Sequence, residues 1–375
     1  MKNIQMVDLK SQYQKIKSEV DKGIHEVIDT TSFIKGSKVT DFQHDLETFL
    51  GVKHVIPVGN GTDALQIALM ALDLKPADEV ITPTFTFIAT AEVVALLGLT
   101  PVVVDVDFET FNLSLDSVRK AITPKTKAIV PVHLFGQNAD MEGIMKLAKE
   151  YNLFVVEDAC QSIGSAYTFS DGTKAQSGCM GDIGCTSFFP SKNLGCFGDG
   201  GAIFTNNDEL AAKMRAISNH GMVVRYYHDV VGINSRLDSI QAAVLGVKLK
   251  YLNEYGEARL SAATYYNNAF AGNSNLITPI TSPYTTHVFH QYTLKLKDVN
   301  RSELIKYLAE KSIPAMVYYP LCLHMQKAYK DERYKAGDFP VAEKLSECVI
   351  SLPMHTELTE EQLHYITSSV LEFIN

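Results

Sequence analysis

The chain has no apolar stretch long enough to span a bilayer. Its most apolar run, residues 93–104, is short and is interrupted by Gly98 and Pro101, so it reads as a helix end, a turn and a buried strand. The N-terminus, MKNIQMVDLKSQYQKIK, lacks the apolar core of a signal peptide, and no export is expected. Positive charge is not in excess: 34 Lys and Arg stand against 43 Asp and Glu, a formal net charge of −9. That balance supplies no broad attraction to nucleic acid or to an anionic membrane, although it leaves room for a local phosphate site. The six cysteines, Cys160, Cys179, Cys185, Cys196, Cys322 and Cys348, form no CxxC pair and have no histidines at zinc spacing. No metal is expected, and they read as reduced, mostly buried thiols of a cytoplasmic protein. Internal repeats, low-complexity linkers and coiled-coil heptads are also missing.

What is present is enough for two cores. At 375 residues the chain exceeds what one hydrophobic core normally serves, and 46% hydrophobic with 21% charged residues argues against disorder. Leu9, Tyr13, Ile16, Val20, Ile24 and Val27 recur every three or four positions, which predicts a helix over 8–29. A second helix over 41–50 stops at Gly51. Short β-branched runs then alternate with helical patterns. Strands are expected at 55–58, 80–83, 102–106, 128–132, 154–157, 186–189 and 202–205. Helices are expected at 62–72, 89–97, 115–122 and 141–151. Apolar strands joined by helices imply an α/β fold with a mainly parallel sheet covered on both faces. The last two runs lack a helix between them, so part of the sheet is expected to be antiparallel. One long helix over 239–270 then leads from a large domain, residues 1–250, into a smaller α/β domain, residues 251–375. In the latter, 292–296 and 315–318 read as strands, and 301–311 and 360–373 as helices.

Ligands of open α/β sheets gather at the carboxyl ends of the strands, and four segments placed there carry chemistry. In 58–65 (VGNGTDAL) a strand ends, Gly59 and Gly61 allow a tight turn, and a helix begins. Free N–H groups at such a start bind phosphate, with the Thr62 hydroxyl as a further donor; an ordinary turn capped by Asn60 is the plainer reading of the segment alone. The pattern is neither GxGxxG nor Walker A, so NAD and ATP are not indicated. In 154–161 (FVVEDACQ) an apolar strand delivers acids to its end, where a carboxylate can hold a ring nitrogen protonated or cap the next segment. In 186–195 (TSFFPSKNLG), Lys192 sits among aromatics, proline and glycine. A desolvated lysine amine forms a Schiff base with an aldehyde, while a solvated loop lysine is the plainer reading. In 232–238 (GINSRLD), Asn234 and Arg236 are phosphate or carboxylate donors, or simply flank a helix entry.

These segments, in this order, resemble the DegT/DnrJ/EryC/StrS sugar aminotransferases. The resemblance runs over nearly the whole chain through 33–36 (FIKG), 60–65, 83–87 (PTFTF), 132–137 (VHLFGQ), 157–161, 187–195, 198–201 (GDGG), 220–221 (HG) and 234–237. It implies the aspartate aminotransferase-like fold type I, and pyridoxal 5'-phosphate as cofactor with pyridoxamine 5'-phosphate as its other form. Residue by residue, it makes Lys192 the lysine that holds the cofactor covalently and Asp158 the partner of the pyridine nitrogen. Phe87 becomes the stacking ring and Gln161 the neighbour of the phenolic oxygen. Gly61, Thr62 and Ser187 form the phosphate cradle, and Asn234 is a phosphate ligand lent by the second subunit of a homodimer with shared sites. Lysine at 192, where some relatives carry histidine and dehydrate their substrates, implies transamination.

The likeness extends to UDP-2-acetamido-2-deoxy-3-oxo-glucuronate aminotransferases. It implies an amino donor such as L-glutamate, a nucleotide-sugar acceptor and a place in cell-surface polysaccharide (lipopolysaccharide, O-antigen) synthesis. Arg236 is then a candidate for the sugar carboxylate; the donor carboxylate would suit it as well. His133 and His324 depart from the pattern and are assigned to the sugar site, which leaves C3 or C4 amination of other dTDP-, UDP- or GDP-linked sugars open. A non-catalytic regulator or scaffold on the same fold is the reading from a different class.

Overall fold

The first helix is fixed by its cap and its apolar stripe. Asp8 accepts a hydrogen bond from Ser11 N at 2.9 Å, and α1 (Leu9–Asp29) buries Ile16, Val20 and Val27. The computed structural model describes residues 4–374; the first three residues of the N-terminal stretch from which no export is expected, and Asn375, lie outside them. After α2 (Ser37–Leu50), closed by the left-handed Gly51, come β1 (His54–Val58), α3 (Gly61–Ala71), β2 (Glu79–Pro83), α4 (Ala89–Leu96), β3 (Thr100–Val104), α5 (Leu115–Ala121), β4 (Thr126–Ile129), α6 (Met141–Tyr151) and β5 (Phe154–Asp158). A short hairpin, β6 (Ala166–Thr168) and β7 (Lys174–Gln176), precedes β8 (Ile183–Ser187), β9 (Gly201–Thr205) and α7 (Asp208–Ile217).

The main sheet has the order β1-β9-β8-β5-β4-β2-β3. Its pairings are parallel except those of β9, which runs against both β1 and β8, as the missing helix between the last two runs predicts. Alternating strand residues feed a core on each face. Val80 and Val156 pack under α3, α4 and α7, while Ile81 and Val155 pack under α5 and α6.

The expected helix over 239–270 is two helices, α8 (Ser239–Leu249) and α9 (Leu252–Phe270). At the break, Lys250 N and Tyr251 N bond back three residues, to Val247 O and Lys248 O. A second core surrounds the antiparallel strands β10 (Leu276–Ile277), β11 (Tyr292–Leu296) and β12 (Val349–Leu352), with α9, α10 (Arg301–Glu310) and α12 (Glu360–Ile374); α11 (Pro340–Cys348) leads into β12. The segment expected as a strand at 315–318 contributes only the bridge between Met316 and Ser351. Ile4 packs in this second core and Met6 O accepts from Met354 N, so the start of the chain belongs physically with its end. Among the described residues no helix is long and apolar enough to cross a membrane.

Three interior histidines give the fold a pH limit. Burial lowers the pKa of His287 to about 3 and of His355 to about 4, the latter helped by Arg259; burial, then the charges of Lys192 and Arg259, put His290 well below the ordinary value. The unfolded chain takes up these protons below about pH 6.5 and the folded one does not. Stability is therefore full above that value and falls as pH drops, by about 1.4 kcal/mol per unit for each histidine. Urea midpoints measured between pH 7 and pH 5 are expected to fall accordingly, and an unchanged midpoint contradicts the buried neutral state.

Candidate active site

The parallel strands end at one edge of the main sheet, and the loops that follow build a single site. At the first, Asn60 caps α3 by accepting from Asp63 N at 2.8 Å. Among the described residues nothing accepts from the N–H groups of Gly61 or Thr62, so two donors at the positive helix end stand free. Ser187, at the end of β8, closes this cup. A Cβ on Gly61 would lie 2.7 Å from Ser187 Cβ, which is why residue 61 carries no side chain. The Ser187 hydroxyl accepts from Phe189 N at 3.3 Å and keeps its own proton for a ligand. Both readings of 58–65 hold at once: the turn is capped, and an anion cradle remains.

At the end of β5 the alternation of the strand separates two acids. Asp158 faces the site. Its Oδ2 accepts from Thr90 Oγ1 at 2.7 Å and its Oδ1 from Cys160 N at 3.2 Å. It is 6% exposed, and no cation pairs with it among the described residues. Lys192 approaches from the loop after β8. Its amine has no hydrogen-bond or ion-pair partner there; burial lowers its pKa from that of an ordinary lysine, opposed by Cys160 and Asp158. Burial and Asp158 push the Cys160 thiol well up, so it stays protonated. Phe87 is 55% exposed, a large aromatic face left open where α4 begins.

Gln161 links this floor to the irregular segment that carries Tyr319. Its Oε1 accepts from Phe135 N at 2.8 Å, and its Nε2 donates to Tyr319 Oη at 3.2 Å. The Tyr319 ring lies 6.4 Å from that of Phe87. Tyr319 has no counterpart among the expected site residues; its only signal is an aromatic pair beside Pro320 in a segment without regular structure.

Ser235 clamps the 232–238 segment to the cup, accepting from Gly59 N at 2.9 Å and donating to Asp63 at 2.6 Å. Its neighbours differ: Arg236 is half-buried with no side-chain partner among the described residues, and Asn234 points out at the surface.

Two expected sugar contacts are corrected. His133 is fully buried; Ala139 N donates to its Nδ1 at 3.1 Å, so the ring proton sits on Nε2, which donates to Glu157 at 2.8 Å. His324 is likewise enclosed, with Nδ1 on Thr84 at 2.8 Å and Nε2 on Glu343 at 3.2 Å. Neither ring has a nitrogen left for a sugar hydroxyl. Among the described residues no group of three or more His, Cys, Asp or Glu is placed to hold a metal.

The site can therefore take a molecule that combines a phosphate, a flat ring with a cationic nitrogen and an aldehyde. The cup, Phe87, Asp158 and Lys192 match those groups in turn, so pyridoxal phosphate fits the residues present.

The pattern of the DegT/DnrJ/EryC1/StrS aminotransferase family matches residues 14–371. The chain is 46% identical over 376 residues to a pleiotropic regulatory protein of Geobacillus stearothermophilus, covering 99% of this chain and 98% of that one. It is 44% identical over 368 residues to the UDP-2-acetamido-2-deoxy-3-oxo-D-glucuronate aminotransferase of Pseudomonas aeruginosa, covering 98% and 99%. Its fold superposes on the crystal structure of NtdA from Bacillus subtilis with bound cofactor PMP, with a TM-score of 0.88 and 34% identity, over 96% of this chain and 82% of that one.

Proposed function

The chain belongs to the DegT/DnrJ/EryC1/StrS aminotransferase family, and from that premise we propose that it moves an amino group from an amino-acid donor, L-glutamate, to C3 of a UDP-linked 3-keto-uronate sugar in cell-surface polysaccharide synthesis. The observation that carries the reading is the convergence of an unpaired, desolvated lysine amine, a buried carboxylate without a cation and an open helix N-terminus on one pocket. Pyridoxal phosphate, when bound, supplies the electron sink and carries the amino group between donor and acceptor.

The protein does the rest. Gly61 N–H, Thr62 N–H and the Thr62 and Ser187 hydroxyls would hold the phosphate, and Asp158 would hold a proton on the ring nitrogen. Phe87 would cover one face of the ring. Gln161, steadied by Phe135 and Tyr319, would stand beside the phenolic oxygen. Lys192 Nζ, depressed in pKa and therefore more readily neutral, accepts and returns the proton that must move on the substrate carbon. Six cysteines, none in a disulfide, support a reducing, cytoplasmic setting.

The experiment adds amino-sugar nucleotides singly to the pyridoxal-phosphate form and follows the absorbance change to the pyridoxamine form. Conversion by the UDP-3-amino-uronate, with 4-amino sugars silent, is expected. In Arg236→Ala the KM for that sugar is expected to rise about 10- to 100-fold, the worth of a bidentate charged contact. If only a non-acidic or 4-amino sugar converts the enzyme, the uronate and the Arg236 contact fall together. If neither a sugar nor glutamate converts it, a regulator is the better reading, as the name of the Geobacillus relative suggests for that protein.

A second copy of the chain completes the site in this reading. The stretch around Asn234 exposes Val223, Val224, Tyr226, Tyr227 and Val231, the last 85% exposed, an apolar surface of the kind that marks an interface. Sedimentation is expected to give a dimer, and Val231→Asp to weaken dimer and turnover together. A monomer with full turnover excludes the role of Asn234.

A further inference from the structure

Asp158 is a carboxylate whose direction has to be set by its neighbours. The terminal torsion of an aspartate is broad and roughly two-fold, so the backbone of β5 does not decide where the two oxygens point. Two donors do, one on each oxygen and each from a different element: Thr90 Oγ1 from the first turn of α4, and Cys160 N from the turn after β5. An ionised carboxylate offers about four lone-pair sites. With one taken on each oxygen, a lone pair remains on each.

Thr90 lies in the first turn of α4, where no carbonyl of the helix stands four residues back for its hydroxyl to bond. The hydroxyl, on a residue 1% exposed, crosses to the neighbouring strand. It stands three residues after Phe87, so one short turn carries both the exposed aromatic face and the hydroxyl that grips the acid beneath it.

We propose that Thr90 is a positioning residue: its hydroxyl fixes the rotation of the Asp158 carboxylate so that a free lone pair is presented to the ring nitrogen of the cofactor. The inference rests on the proposed pyridoxal-phosphate function and adds to it a residue that touches neither substrate nor cofactor. Without the hydroxyl, the carboxylate is held at one oxygen only and turns about its own axis, and the contact with the ring nitrogen loses its direction.

The test separates hydroxyl from shape. Thr90→Val keeps the branched outline and removes the donor; Thr90→Ser keeps the donor and removes a methyl. Calorimetry on the cofactor-free full chain compares pyridoxamine 5'-phosphate with its 1-deaza analogue, in which the ring nitrogen is a C–H. Neither forms a bond to Lys192, so the ratio of the two affinities reports the ring-nitrogen contact alone. The wild type is expected to prefer the nitrogen-containing ring by roughly 10- to 100-fold, the range for hydrogen bonds to charged groups. Thr90→Val is expected to lose about tenfold of that preference while binding the deaza analogue as the wild type does, and Thr90→Ser to retain the preference. A valine variant with the wild-type ratio or a larger one overturns the proposal. So does a serine variant that fails like the valine, because shape would then be what matters. A wild type that binds neither compound, or does not distinguish them, removes the role of Asp158 itself, a failure of the underlying reading that is visible before any variant is made.

Discussion

Replacing Lys192 by alanine is expected to lower turnover roughly 10⁴-fold or more, because one side chain serves as both the covalent anchor and the proton carrier. The fold should not suffer. Lys192 makes no side-chain hydrogen bond or ion pair among the described residues, and its amine is held against the cost of burial. Burial of the amine outweighs the attraction of Cys160 and Asp158, so truncation should leave the urea midpoint the same or higher. Steady-state assay and denaturation on one preparation decide the matter. Turnover within tenfold of the wild type would place the chemistry elsewhere, and a destabilised variant would mean that the amine has a structural partner.

The second large effect concerns stability. Glu157 is completely buried and its carboxylate is saturated: Oε1 accepts from Met180 N and Gly181 N, both at 2.6 Å, and Oε2 from Gly178 N at 3.1 Å and His133 Nε2 at 2.8 Å. These bonds tie the loop after β7 and the loop after β4 to one strand. Glu157→Ala leaves two buried donors, Gly178 N and His133 Nε2, and two half-buried ones, Met180 N and Gly181 N, without an acceptor and is expected to cost about 3–5 kcal/mol, a large share of the stability of a typical domain. Glu157→Gln keeps the shape but sets an amide against donors, and should fall between the two. Denaturant unfolding with an unchanged slope measures the difference; a loss below about 1 kcal/mol would mean that water replaces the carboxylate without penalty.

Glu157 also marks how far the sequence could be read. The 154–161 run places two acids at a strand end, and the strand period sends neighbours to opposite faces. Which face holds the site depends on residues far along the chain, such as Thr90 and the 178–181 loop. His133 shows the same limit: its departure from the family pattern pointed to the sugar, and its partner, 24 residues on, is buried beside it. Legibility was best in the main sheet, where continuous apolar runs bounded by glycine, proline and asparagine leave few alternatives. It was poor where one element runs into the next without punctuation. Leu249, Leu252 and Tyr255 keep helical spacing straight across the break at Lys250, and β12 follows α11 with no turn residue between them. The 58–65, 154–161 and 186–195 segments stand out as chemistry because each lies at a strand end, while Phe87 and Gln161 were pointed to by the resemblance alone. Tyr319 was not, because it reaches the site from far along the chain on a segment with no period to read.

The packing of Ile4 into the second core has a consequence for how the chain is made. That core contains Ile366 and Val370 of the last helix, so it cannot close while α12 is still inside the ribosome. The main sheet, complete by Thr205, can form during synthesis, but the first described residue must wait for nearly the last. Until α12 has emerged the N-terminal segment lacks part of the core that it packs into. A bulky fusion at the N-terminus would therefore burden the final step of assembly more than the first.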